Sequence, residues 1–175
     1  MTTRRQIIRL IIIVAGIFVV FLIGRELYFA RSYVQMINPV SVSFGELVNK
    51  ADFIVRGTAA KKLSSYRTIE DGEVMVYTRW QFKVDQVYKG NPAKKIILKT
   101  PGGRYGLTDV QVEGRPAVTL GKEAVLFLTK QNGDYVIQFS QGYYTIERDE
   151  QGNEIMVQLL SKETETFDDL TAALQ

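Results

Sequence analysis

Residues 76–90, VYTRWQFKVDQVYKG, alternate almost without a break. Val76, Thr78, Trp80, Phe82 and Val84 fall on one side; Tyr77, Arg79, Gln81, Lys83 and Asp85 fall on the other. Successive strand residues point to opposite faces, so this is a strand with one apolar and one charged face. Trp80 and Phe82 share the apolar phase and are expected in a core. A strand of this length would reach about 50 Å if straight. In so small a sheet it must curl, pairing with one neighbour at its start and another at its end. The alternation slips at residues 85–87, where a bulge would let it bend. Long curled strands of this kind close small OB-type barrels.

The same reading assigns the rest of residues 43–175. SFGELVNK is a short helix, with Ser43 as N-cap, Glu46 completing a capping box, and Leu47 and Val48 inward. ADFIVRGTAAKKL is a strand in which Gly57 marks a bulge or a sharp coil. SSYRTIEDGE is a turn with Asp71 and Gly72 at its tip. KKIILKTP and a short piece at residues 110–113 are strands separated by the glycine-rich GGRYG. EAVLFLTK is apolar on both faces, as a central strand is. Asn132 and Gly133 signal a tight hairpin into DYVIQF, and residues 142–159 a second one turning at Gln151, Gly152 and Asn153. Thr166 caps a last helix with Phe167, Leu170 and Leu174 on one face. Asp168 and Asp169 sit in its first turn, where the helix dipole favours them. The expectation is a mainly β fold: a small OB-like barrel of six or seven strands with two short helices.

Ahead of it the pattern changes. Leu10 to Ile23 carry no charge, and Ile7 and Ile8 extend the run while Arg9 snorkels. A helix over residues 7–24 rises about 27 Å, close to a bilayer core of about 30 Å. Leu27, Tyr28, Phe29 and Tyr33 follow, as aromatic residues do at a membrane boundary. The rival is a cleaved signal peptide, but Gly24 is followed by Arg25 and Glu26 rather than a small-x-small site. Arg4, Arg5 and Arg9 outweigh Arg25 and Arg31, which directs the N-terminus inward. The expected organisation is a cytoplasmic N-terminus at 1–6, a transmembrane helix at 7–24, a juxtamembrane connector at 25–42 containing Asn38 and Pro39, and an extracytoplasmic domain at 43–175. That is a single-pass cell-membrane protein.

The 175 residues include no cysteine and no histidine. This excludes thiolate and imidazole nucleophiles, bases and metal ligands. No cofactor is expected, and an enzyme is not. The net charge of +3 hides a split: residues 32–130 carry 15 Lys/Arg against 9 Asp/Glu, and residues 131–175 carry 2 against 9. Either the acidic end folds back on the basic part, or the basic part meets a polyanion.

ADFIVRGTA, then YTRWQFKVDQVYKGN, then KIILKTPGG, then LGKEAVLFLTK resemble in their order the netrin-like module, the OB-fold barrel shared with tissue inhibitors of metalloproteinases. They resemble more closely a group of uncharacterised bacterial envelope proteins, which often continue into QGYYTI-like and FDDLTAAL-like ends. The resemblance covers about residues 44–175. Those inhibitors act through an N-terminal disulfide-bonded cysteine, which this chain lacks. The resemblance therefore implies a barrel and an interaction role, with no target and no inhibitory residue carried over.

Three features are candidate sites. In TPGGRYGLTD, Gly102, Gly103 and Gly106 allow close approach while Arg104 and Tyr105 could grip an anion or a sugar ring; an ordinary strand connection explains the same residues. Arg79, on the outward face of the long strand, and Tyr143, beside Tyr144 where one of the two should face out, are further partner-binding candidates; for Tyr143 a plug at the barrel end is the other reading. Lys61, Lys62, Lys94 and Lys95, with Lys83, Lys89 and Lys99, could form an anion-binding face, or a solvated edge that resists pairing with other chains. The acidic pairs lie in turns or helix starts. The reading is a non-catalytic interaction module that meets an envelope or membrane protein through loops 64–73 and 100–109. The alternative is a binder of anionic polymer or lipid headgroups through the lysine face. Nucleic acid is not expected outside the cell.

Overall fold

The computed structural model describes residues 2–29, 32–36, 41–70, 72–138 and 140–175. In chain order the elements are α1 (Thr2–Phe29), β1 (Ser32–Met36), α2 (Phe44–Lys50), β2 (Phe53–Glu70), β3 (Glu73–Lys89), β4 (Lys95–Pro101), β5 (Gly103–Tyr105), β6 (Thr108–Glu113), β7 (Glu123–Gln131), β8 (Asp134–Ile137), β9 (Tyr143–Arg148), β10 (Glu154–Gln158), β11 (Thr164–Thr166) and α3 (Phe167–Ala173). The chain is mainly β. There are 11 strands among the described residues, more than the six or seven expected; β1, β5 and β11 are not among the segments that the sequence pattern assigns.

The long strand behaves largely as its alternation dictates. Val76, Thr78, Phe82 and Val84 are buried and Trp80 packs against their cluster, while Lys83 and Asp85 are exposed. The slip is real: Arg56 pairs with Gln86 but Gly57 with Val84, so Asp85 bulges out of the ladder. One expectation is corrected. β3 does not exchange neighbours along its length; it holds β2 on one side throughout and β4 on the other. The strand that changes surroundings is β2, which meets β7 only from Phe53 to Thr58. A second correction concerns residues 64–73. Residues 64–70 and Glu73, expected in a turn, belong instead to the far arms of β2 and β3, paired out to Glu70 opposite Glu73. Tyr66 stacks on Tyr77 with ring centroids 5.8 Å apart, and Ser65 hydrogen-bonds Thr78 across the pair. Gly72 takes the positive φ expected of the tip; Asp71 lies outside the described residues.

The pairings close on themselves. β2 pairs with β3, β3 with β4, β4 with β8, β8 with β7, and β7 with β2. The β4–β8 step is parallel and spans two residue pairs, Leu98 with Tyr135 and Lys99 with Val136. The β7–β8 hairpin turns at Asn132 and Gly133, both at positive φ, as the expected turn demands. β9, β10 and β11 continue the sheet beyond β7. A separate small sheet has β6 between β1, parallel to it, and β5.

β7 is buried on both faces, as predicted. Ala124, Leu126 and Leu128 join Val55, Phe82 and Leu98 in one core; Val125 and Phe127 join Leu47, Val48, Met156 and Leu170 in the other. Both predicted helices form in this second layer. At α2, Ser43 accepts from the Glu46 amide, but the Glu46 carboxylate pairs with Lys50 at 2.7 Å, so the reciprocal bond that was expected is not the one it makes. At α3 the reciprocal box is complete: Thr166 accepts from the Asp169 amide and the Asp169 carboxylate accepts from the Thr166 amide. The acidic end does fold back, since Glu154 pairs with Arg56 at 2.7 Å and Asp134 with Arg79 at 2.8 Å.

Helix α1 runs through the predicted apolar segment. Its side chains at residues 11–24 are all exposed and carry no charge, and this stretch alone rises only about 21 Å. No helix among the described residues is long and apolar enough to cross a membrane. The side chains of Arg4, Arg5, Arg9, Leu27, Tyr28, Phe29 and Tyr33 lie outside the described residues, as do Asn38, Pro39 and Phe139. The expected connector is not plain linker, since β1 lies inside it.

Candidate functional site: a cationic cleft at the parallel seam

After Lys99 and Val136 the two parallel strands part. β4 runs on through Thr100 to Pro101, β8 through Ile137 toward Gln138, and the Arg115-Pro116 corner that follows β6 enters the fork. A cavity of about 340 Å³ opens there, lined by Tyr77, Lys99, Val136, Thr129, Arg115 and Gln131 among others. These side chains converge for a register reason. Tyr77 and Arg79 are on the outward phase of β3; Lys99 lies opposite Arg79 and Val136, and Val136 opposite Thr129.

Its electrostatics are one-sided. Two cations, Lys99 and Arg115, line the cavity and no described carboxylate does. Burial pushes the Arg115 guanidinium below its usual range, and its Nε is buried with no hydrogen-bond partner. A buried donor without a partner carries a desolvation penalty that an acceptor would relieve. The Lys99 ammonium sits 3.8 Å from the centre of the Tyr77 ring. The Tyr77 hydroxyl donates to Glu70 at 2.7 Å; burial first, and that carboxylate second, raise its pKa, so it stays a neutral phenol. Beside the cavity, Arg79 donates to Asp134 at 2.8 Å and lies over Tyr66. On the far side of Thr100 is a second hollow of about 220 Å³, lined by Lys62, Trp80, Gly103 and, again, Arg115. There the Trp80 Nε1–H donates to the Thr100 hydroxyl at 2.9 Å.

The residues singled out from sequence are scattered around this cleft. Arg79 borders it but is already paired. Arg104 and Tyr105 lie on β5, exposed, with the Arg104 Nε donating to the Gly106 carbonyl at 3.3 Å. Tyr143 is corrected as an exposed anchor. It is 2% exposed in the first core, and Tyr144 is buried in the second, because β9 is covered on both faces. Lys61, Lys62, Lys94 and Lys95 are exposed, and the register puts Lys61 and Lys62 on opposite faces. Lys61 lies opposite outward Gln81, whereas Lys62 lies opposite inward Trp80, with its ammonium 5.6 Å from that ring. Lys95 faces Lys83, which pairs with Asp85.

Arg115 went unnoticed in sequence because it follows a strand in a segment with no period. The one local signal was Gly114-Arg115-Pro116, a glycine at positive φ and a proline that is buried. Among the described residues no group of three or more carboxylates is placed to hold a metal. Asp149 spends its carboxylate on the backbone and side chain of Asn153. No family model matches the chain, and no curated protein is significantly similar to it.

Proposed function

We propose that this chain is a membrane-anchored, extracytoplasmic interaction module without catalytic activity, and that the cleft at the β4–β8 seam takes a carboxylate presented by an envelope or membrane protein. The observation that carries the reading is that Arg115 and Lys99 line one cavity together and no described carboxylate lines it. Charged hydrogen bonds to such a pair are worth more than neutral ones. The five cyclically paired strands, with a parallel step between the third and the fifth, support an OB-like barrel of the netrin-like kind. The anchor is supported by α1, which is uncharged and exposed through residues 11–24 with no protein face covering it. The arginines at the N-terminus support the orientation. The alternative, an anionic polymer or lipid headgroup held by Lys61, Lys62, Lys94 and Lys95, is weakened by the register, which sets Lys62 on the face opposite Lys61.

The test is an NMR titration of the full chain in lipid nanodiscs with acetate. The expected result is saturable shifts at Lys99, Thr100, Val136 and the Arg115 Nε–H, abolished by Arg115→Gln. Unsaturable shifts spread over Lys61, Lys94 and Lys95 would reject the cleft in favour of the lysine surface.

A further inference from the structure

The route by which the chain reaches the domain gives the glycine-rich turn a location. β1 begins at Ser32, three residue steps after the end of α1 at Phe29, a reach of at most about 11 Å. β1 is parallel to β6, and Ser32 pairs with Asp109. Asp109 in turn pairs with Arg104 on β5, and the next rung joins Tyr105 to Thr108. Ser32, Asp109 and Arg104 therefore form one row, and the turn through Gly106 and Leu107 closes the small sheet at the end where the chain arrives from α1. That turn carries two exposed large apolar side chains, Tyr105 at 47% and Leu107 at 50%, with Arg104 exposed beside them. The Arg67 guanidinium adds a second cation 6.0 Å from the Tyr105 ring. An amphipathic aromatic, an aliphatic and flanking arginines are the chemistry of the headgroup–acyl boundary.

We infer that the Arg104–Leu107 turn is a second membrane contact, with Tyr105 and Leu107 dipping into the boundary and Arg104 on anionic phosphates, so that the domain lies against the bilayer rather than hanging from it. This rests on the anchor reading of α1. It also moves Arg104 and Tyr105 from a protein partner to lipid.

The chain has no cysteine, so single labels can be placed at will. The full chain with an environment-sensitive fluorophore at Leu107→Cys, Val19→Cys or Leu160→Cys is reconstituted in phosphatidylglycerol-containing vesicles with spin-labelled lipid as quencher. Leu160 is an exposed reference in the segment between β10 and β11, in the other sheet. The expected result is blue-shifted, lipid-quenched emission at positions 19 and 107 and neither effect at 160. Quenching at 19 with position 107 behaving like 160 overturns the membrane turn and leaves the anchor standing. No quenching at 19 overturns the anchor, and the turn with it.

Discussion

A single methyl group separates position 57 from a clash. A Cβ there would overlap the Lys83 carbonyl oxygen and come within 2.8 Å of Phe82 Cε1, beside the point where Asp85 bulges out of the ladder. Backbone cannot retreat as a flexible side chain can. Gly57→Ala should therefore lower unfolding free energy by about 1–3 kcal/mol, read by urea denaturation; unchanged stability would mean that the strands are not so closely apposed. This glycine was legible, since a glycine inside a strand marks a bulge or close approach. Tyr143 was not. Nothing in GYYTIER distinguishes a strand covered on one face from one covered on both, and that depends on the residues of both cores arriving from elsewhere in the chain. Arg115 was hidden for the same reason, as its neighbours Lys99 and Tyr77 come from two other strands.

At the scale of elements, α3 is the most local in its determinants. Thr166 and Asp169 form a complete capping box, and Leu170 anchors the helix on the second core. Thr166→Ala should cost about 1 kcal/mol. The Thr166 hydroxyl, then its amide, hold the Asp169 carboxyl below its usual pKa. A folded-state pKa that is depressed gives stability that is present above the ordinary carboxylate value, about 3.9, and is lost as pH falls through the folded value. Thermal melts across the acid range should show that loss in the wild type and a shallower one in Thr166→Ala; identical slopes would remove Asp169 from the acid response. Caps of this kind can be read in a sequence because both partners lie three residues apart. The far arms of β2 and β3 could not be read that way. SSYRTIEDGE lacks an apolar phase, and what holds it extended is cross-strand pairing, Tyr66 on Tyr77 and Ser65 to Thr78.

Across the whole molecule, the sequence's separation of charge resolves into geometry. The basic half supplies Arg56 and Arg79, and the acidic end supplies Glu154 and Asp134 to meet them. At the seam Lys99 and Arg115 line the cleft with no carboxylate among the described lining residues. The cleft exists only because β4 and β8 pair for two residues and then part, so everything proposed for it depends on that short parallel step. The most direct measurement is the set of interstrand nuclear Overhauser effects in the full chain. The expected result is backbone contacts joining Leu98 to Tyr135 and Lys99 to Val136, together with those joining Val136 to Thr129 across β7 and β8. Contacts from Val136 to Thr129 with none from β4 to β8 would mean an open sheet, a ring that does not close, and no cleft for an anion to enter.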